Sequence, residues 1–128
     1  MSGIEYLIDT NILIYHTKGY GDSIDFISRA IAQKSFNISI LTKIEFLGWD
    51  KHTPDGFEKC KRLIEHANVY LLDDDIAGKT IELKRVTNIN LADAVIAATA
   101  MVHNLKLVTR NIDDFKTIEG LEVENLFK

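Results

Sequence analysis

Tyr6-Leu7-Ile8-Asp9-Thr10-Asn11 is the stretch on which the reading of this chain turns. Three apolar residues make a short buried strand, and they stop at a carboxylate, a hydroxyl and an amide, the side chains that begin helices. A strand that gives way directly to a helix is the first half of an α/β unit. Asn11 to about Lys18 continues as helix, Gly19 and Gly21 make a turn, and Asp22 begins a helix with Ile24, Ile27 and Ile31 on one face.

The same alternation runs outward along the chain. Asn37 to Leu41 reads as a second strand, with Thr42 capping a helix to about Asp50. Thr53-Pro54-Asp55-Gly56 punctuates the chain before a helix ending near His66. Val69 to Leu72 is a third strand, Asp73-Asp74-Asp75 opens a helix, and Asn90 starts an Ala-rich helix from Leu91 to His103. Leu105 to Thr109 is a fourth strand, Asn111 to about Ile118 a helical turn, and Leu121 to Val123 an edge strand. Near-continuous apolar strands between helices predict an α/β fold, a central, mostly parallel sheet flanked by helices. With no linker or repeat, residues 1–128 are expected to be a single domain.

Composition bounds the function without choosing it. The 128 residues are 46% hydrophobic and 27% charged, ordinary values for a folded domain. One cysteine, Cys60, cannot form an internal disulfide, which fits a reducing cytoplasm, the expected location. The first residues lack the basic and apolar regions of a secretory leader, and no apolar run spans a bilayer, so no membrane role is expected. A net charge of −4 argues against sequence-blind nucleic-acid binding through a basic surface. It does not exclude a nuclease, because bound divalent cations change the charge that a phosphate meets.

The acids carry the chemistry. Thr42-Lys-Ile-Glu45, Asn90-Leu-Ala-Asp93 and Asn111-Ile-Asp-Asp114 each set a capping residue three positions before an acid, and Asp9 closes the first strand. Each acid taken singly complements a helix dipole or closes a capping box. Taken together, Asp9, Glu45 and Asp114 closely follow predicted strands, so they share the edge where parallel sheets bind ligands. Asp93 follows a helix, and spacing alone leaves its side of the sheet open. Two carboxylates about 6 Å apart repel by about 3 kcal/mol at an effective dielectric near 20, so a cluster must be partly protonated or hold cations. Oxygen donors with no Cys or His set select Mg2+ or Mn2+, and His16, His52, His66 and His103 lack zinc-type spacing.

At these residues the chain resembles the PIN-domain nucleases, in particular the VapC-like ribonuclease toxins of prokaryotic toxin–antitoxin pairs. Tyr6-Leu-Ile-Asp-Thr-Asn-Ile-Leu-Ile-Tyr15 is similar to the family's opening strand and acidic turn. Leu91-Ala-Asp-Ala-Val-Ile-Ala-Ala-Thr-Ala100 resembles its central Asp-Ala-x-Ile-Ala-Ala-x-Ala segment, and Leu107-Val-Thr-Arg-Asn-Ile-Asp-Asp-Phe115 its late Thr-x-Asn-x-x-Asp-Phe motif. Glu45 takes the place of the family's glutamate after the second strand. The resemblance implies a metal site on Asp9, Glu45, Asp93 and Asp114, with Asn11, Thr109 and Asn111 orienting the acids. Asp113 competes with Asp114, and Phe115 favours Asp114. The resemblance further implies hydrolysis of structured RNA such as tRNA, a homodimer and a cognate antitoxin.

Lys43 and Arg110 adjoin these acids and are candidate phosphate contacts. Tyr15, Tyr20 and Trp49 are candidates for base stacking, although core or rim packing explains them better. Two other readings compete. A phosphate-accepting receiver domain shares the sheet and the magnesium-binding acids, yet expects paired acids after the first strand and a late Lys-Pro, whereas the only proline here is Pro54. A catalytically silent RNA- or protein-binding relative has no reason to tolerate the repulsion of four acids.

Overall fold

The computed structural model describes residues 5–127; the expectations about a leader and about a domain over 1–128 reach in part beyond that range. Five strands, β1 (Tyr6–Ile8), β2 (Asn37–Ser39), β3 (Asn68–Tyr70), β4 (Lys106–Val108) and β5 (Val123–Glu124), form one sheet in the order β3-β2-β1-β4-β5. Every pairing among the described residues is parallel, with Leu7 opposite Leu107 and Ile8 opposite Val108. The helices are α1 (Thr10–Thr17), α2 (Gly21–Ala32), α3 (Ile40–Leu47), α4 (Pro54–Ile64), α5 (Asp74–Val86) and α6 (Leu91–Val102).

Strand alternation divides the core in two. Leu7 and Leu107 belong to one cluster, with Ile76 and Leu83 of α5 and Ala94, Ala97 and Ala98 of α6. Their neighbours Ile8 and Val108 belong to the other, with Ile12, Ile27, Phe46 and Ile64 from α1 to α4. The small residues of α6 pack as expected, since seven consecutive positions from Ala94 to Ala100 are buried.

The order of the strands positions the site. From β1 the chain adds β2 and β3 on one side, then returns to add β4 and β5 on the other. The reversal leaves a crevice at the carboxyl ends of β1 and β4, where open α/β sheets bind ligands. Asp9 directly follows β1 and Thr109 directly follows β4.

One element starts differently from expectation. β2 ends at Ser39, whose side chain accepts from the Leu41 N–H at 3.0 Å and caps α3. Thr42 is therefore not the cap; it lies inside the first turn and is fully buried. Glu45 consequently closes no capping box and lies on an exposed face of α3. The caps expected at Asp73 and Asn90 are formed and Thr53 caps α4, whereas Asn111 makes no side-chain cap bond to the turn that follows it.

Candidate active site

Asp9 is the fixed point of the crevice. Its backbone N–H donates to the Val108 carbonyl at 3.0 Å, extending the pairing of β1 with β4 by one residue. Its side chain caps α1, accepting from the Thr10 N–H at 2.8 Å. The other carboxylate oxygen accepts from the Thr109 hydroxyl at 2.8 Å and from Asn11 Nδ2 at 3.3 Å. Asn11 also donates to Thr109 Oγ1 at 2.9 Å and accepts from the Arg110 N–H at 3.2 Å, so its amide is locked at both ends. Asn111 joins through its backbone N–H, which donates to Thr109 Oγ1 at 3.0 Å.

Glu45 comes to the same place from α3. It accepts from the Thr10 hydroxyl at 2.7 Å, and that hydroxyl lies 3.2 Å from Thr42 Oγ1. Thr10 and Thr42 went unnoticed in the sequence as more than cap residues. The one visible signal was a hydroxyl beside each acid-bearing segment.

Asp93 begins α6 in the position its cap dictates. Asn90 Oδ1 accepts from the Asp93 N–H at 2.9 Å, and Asn90 Nδ2 donates to Asp93 Oδ2 at 3.1 Å. The reciprocal bond of a capping box is thus made by the Asn90 side chain and not by its backbone. Asp114 ends a 3-10 turn, Ile112–Asp114.

Electrostatics tie the acids together. Burial raises Asp9 from 3.8 to about 6 against the opposing bonds from Thr109 and Thr10, and the charges of Asp93 and Glu45 push it further. Asp93 is raised as well, by its own burial and then by the charges of Asp114 and Glu45, while the Asn90 bond opposes. Asp93 therefore lies on the crevice side of the sheet, which spacing could not decide. Of the adjacent pair, Asp114 is the acid felt at Asp93, whereas Asp113 is exposed and pairs with Lys116 at 3.4 Å.

The two basic candidates do not stand as expected. Arg110 is engaged within the protein: its guanidinium pairs with Asp22 at 2.7 Å and donates to Ser23 at 3.0 Å. It also stacks 4.3 Å from the Tyr15 ring and 4.4 Å from that of Phe127, leaving 11% of the side chain exposed. Tyr15 packs against Tyr20 with centroids 4.7 Å apart, and both rings lie against the Arg110 guanidinium. Trp49 lies edge-on to His52 at 5.1 Å. Lys43 is half-buried and two residues from Glu45 on α3, a spacing that sends the two side chains to different faces.

Comparison with known proteins fits this geometry. The model of the PIN domain family matches residues 6–121. The chain belongs to the PIN domain family. Within it, this PIN domain is similar to the Mycobacterium tuberculosis protein called ribonuclease VapC10, with 30% identity over 91% of this chain and 90% of the relative. Its fold matches a toxin–antitoxin complex from Klebsiella pneumoniae, with a TM-score of 0.78 and 29% identity over 97% of this chain and 99% of the other. It also matches VapBC2 from Rickettsia felis bound to a promoter DNA fragment, with a TM-score of 0.81 and 22% identity over 97% and 100% of the two chains. The PIN domain is thus a VapC-like member of the family, and no helix among its described residues is long and apolar enough to cross a membrane.

Whether these acids suit a cation can be judged from the donors. Among the described residues, no three His, Cys, Asp or Glu side chains stand close enough to form a ready-made cage. Magnesium does not require one, because it is commonly held by one or two carboxylates and keeps several waters. Hard oxygen donors, one of them nearly buried and raised to about 6, form a set that a divalent cation would relieve of repulsion. The donor set fits.

Proposed function

We propose that this PIN domain is a magnesium- or manganese-dependent endoribonuclease that hydrolyses phosphodiester bonds in structured RNA such as tRNA. The observation that carries the reading is Asp9: a carboxylate 6% exposed, at the strand-order reversal, under the charges of two other acids. A structural cap has no need of those charges. Asp9, Glu45, Asp93 and Asp114 would hold the cation, and Asn11 and Thr109 fix Asp9 for it, with the Asn111 backbone N–H steadying Thr109. A bound cation would supply a coordinated water more acidic than bulk water, and positive charge for the phosphate.

The chain's own residues do the rest. Thr109 and Asn11 keep one oxygen of Asp9 from rotating, and the Asn90 side chain does the same for Asp93. The buried floor beneath Asp9, made by Ile8 and Val108, keeps its carboxylate from full hydration. The proposal extends to a cytoplasmic homodimer, a single domain over residues 1–128, and to the role of toxin in a toxin–antitoxin pair, restrained by a cognate antitoxin. The similarity to a protein named ribonuclease VapC10 and to a toxin–antitoxin complex supports this.

Total RNA incubated with the protein and Mg2+ tests the reading. Cleavage is expected with Mg2+ and should vanish with EDTA or in Asp9→Asn. Equal cleavage in all three would contradict it, and no cleavage in any would favour the silent binder.

A further inference from the structure

Among the described residues, Thr10 is the one that hydrogen-bonds to two of the acids. Its backbone N–H donates to Asp9 Oδ1 at 2.8 Å, and its hydroxyl donates to Glu45 Oε1 at 2.7 Å. A hydroxyl has one hydrogen, and an ionised carboxylate can only accept, so the Thr10 hydrogen is committed to Glu45. The 3.2 Å contact with Thr42 Oγ1 must then use the Thr42 hydrogen. Thr42 is fully buried in the first turn of α3 and cannot take its partner from bulk water. The result is a directed chain from Thr42 to Thr10 to Glu45 that crosses from α3 to α1 and back.

The need for such a chain comes from Glu45 itself. It stands on an exposed face of α3, outside any capping box, with a long side chain free to sample many rotamers. Asp9 and Asp93 are each fixed by neighbours on their own helix. Glu45 has no such neighbour; the partner that fixes it comes from α1, 35 residues away.

We propose that Thr10 is a positioning residue, which with Thr42 behind it holds the Glu45 carboxylate beside Asp9 and leaves Glu45 Oε2 free for the cation. This rests on the metal-dependent reading given above. The hydroxyl matters and the methyl does not, so Thr10→Ser should preserve the arrangement and Thr10→Val, of nearly the same shape, should release Glu45.

The test is Mn2+ binding to the metal-free protein by calorimetric titration, alongside the rate of total RNA loss in Mg2+. Thr10→Val should weaken Mn2+ binding and slow cleavage by about 10- to 100-fold, as loss of a ligand-orienting bond does. Thr10→Ser should stay within about 3-fold of the unmodified protein on the same scale. Thr42→Val should fall between the two. Unchanged Mn2+ affinity in Thr10→Val would overturn the proposal, as would an equal loss in Thr10→Ser. Failure of the unmodified protein to bind Mn2+ or cut RNA would instead overturn the parent reading, so the two failures are distinguishable.

Discussion

Replacing Asp9 by asparagine removes a charge that the fold holds at a cost. Asp9 titrates at about 6 in the native protein against an ordinary value of 3.8. The folded state therefore binds the Asp9 proton more tightly than the unfolded chain does. The contribution of this group to stability is complete below pH 3.8 and is lost as pH rises through about 6. The gap between 3.8 and about 6 corresponds to about 3 kcal/mol lost by pH 7.5. Asparagine caps α1 as well as aspartate, so the bond from the Thr10 N–H is kept, and the Thr109 hydroxyl can turn to accept from the new amide in place of Asn11 Nδ2. The Asn11 amide, 3.3 Å away, would face another amide, at about 1 kcal/mol.

The net prediction for Asp9→Asn is a stabilisation of about 2 kcal/mol at pH 7.5 that shrinks to nothing, or reverses by about 1 kcal/mol, near pH 4. In melting temperature this is a rise of roughly 6–10 °C at the higher pH for a domain of this size. Thermal and urea unfolding in EDTA from pH 4 to 8, with protein and variant side by side, measure it. A difference that stays constant across that range, of either sign, would refute the reasoning, because it would mean that the charge of Asp9 is not what the fold resists.

Asp93→Asn should abolish RNA cleavage yet leave the fold within about 1 kcal/mol, because Asn90 still receives the N–H of residue 93; gross unfolding in a melt would assign Asp93 to capping instead. Magnesium at about 100 times its Kd should stabilise the unmodified protein by about 2.7 kcal/mol, and Asp9→Asn by far less, in the same melts. Arg110→Ala should lower stability by about 1–2 kcal/mol in urea unfolding, by emptying the cage of Tyr15, Tyr20 and Phe127 and removing the ion pair with half-exposed Asp22. A stable Arg110→Ala that has lost only RNA affinity would return Arg110 to the substrate.

The parts of this protein that were legible in its sequence are those written locally. The stop at Asp9 after Tyr6-Leu-Ile8 identifies β1, and Thr53, Asp73 and Asn90 announce their helices through hydrogen bonds to residues three positions on. The start of α3 was misread because Ser39 serves as last strand residue and cap at once, leaving no loop to mark the boundary. The side on which Asp93 lies is set by how α6 packs beside α5 on the sheet, which no local pattern encodes. The surroundings of Arg110 were hidden for a similar reason: Tyr15, Asp22 and Phe127, which pack around it, are scattered from one end of the chain to the other. Phe115 already favours Asp114 over Asp113 in the sequence, and the charge that Asp93 feels is that of Asp114.

The claim beneath all of this is that acids distant in sequence share one crevice in order to hold a divalent cation there. Anomalous diffraction from crystals soaked in Mn2+ tests it most directly. The account predicts manganese beside the Asp9 and Asp93 carboxylates, with Glu45 and Asp114 reaching it directly or through water. No manganese at that crevice, in a protein that still cuts RNA in EDTA, would contradict it.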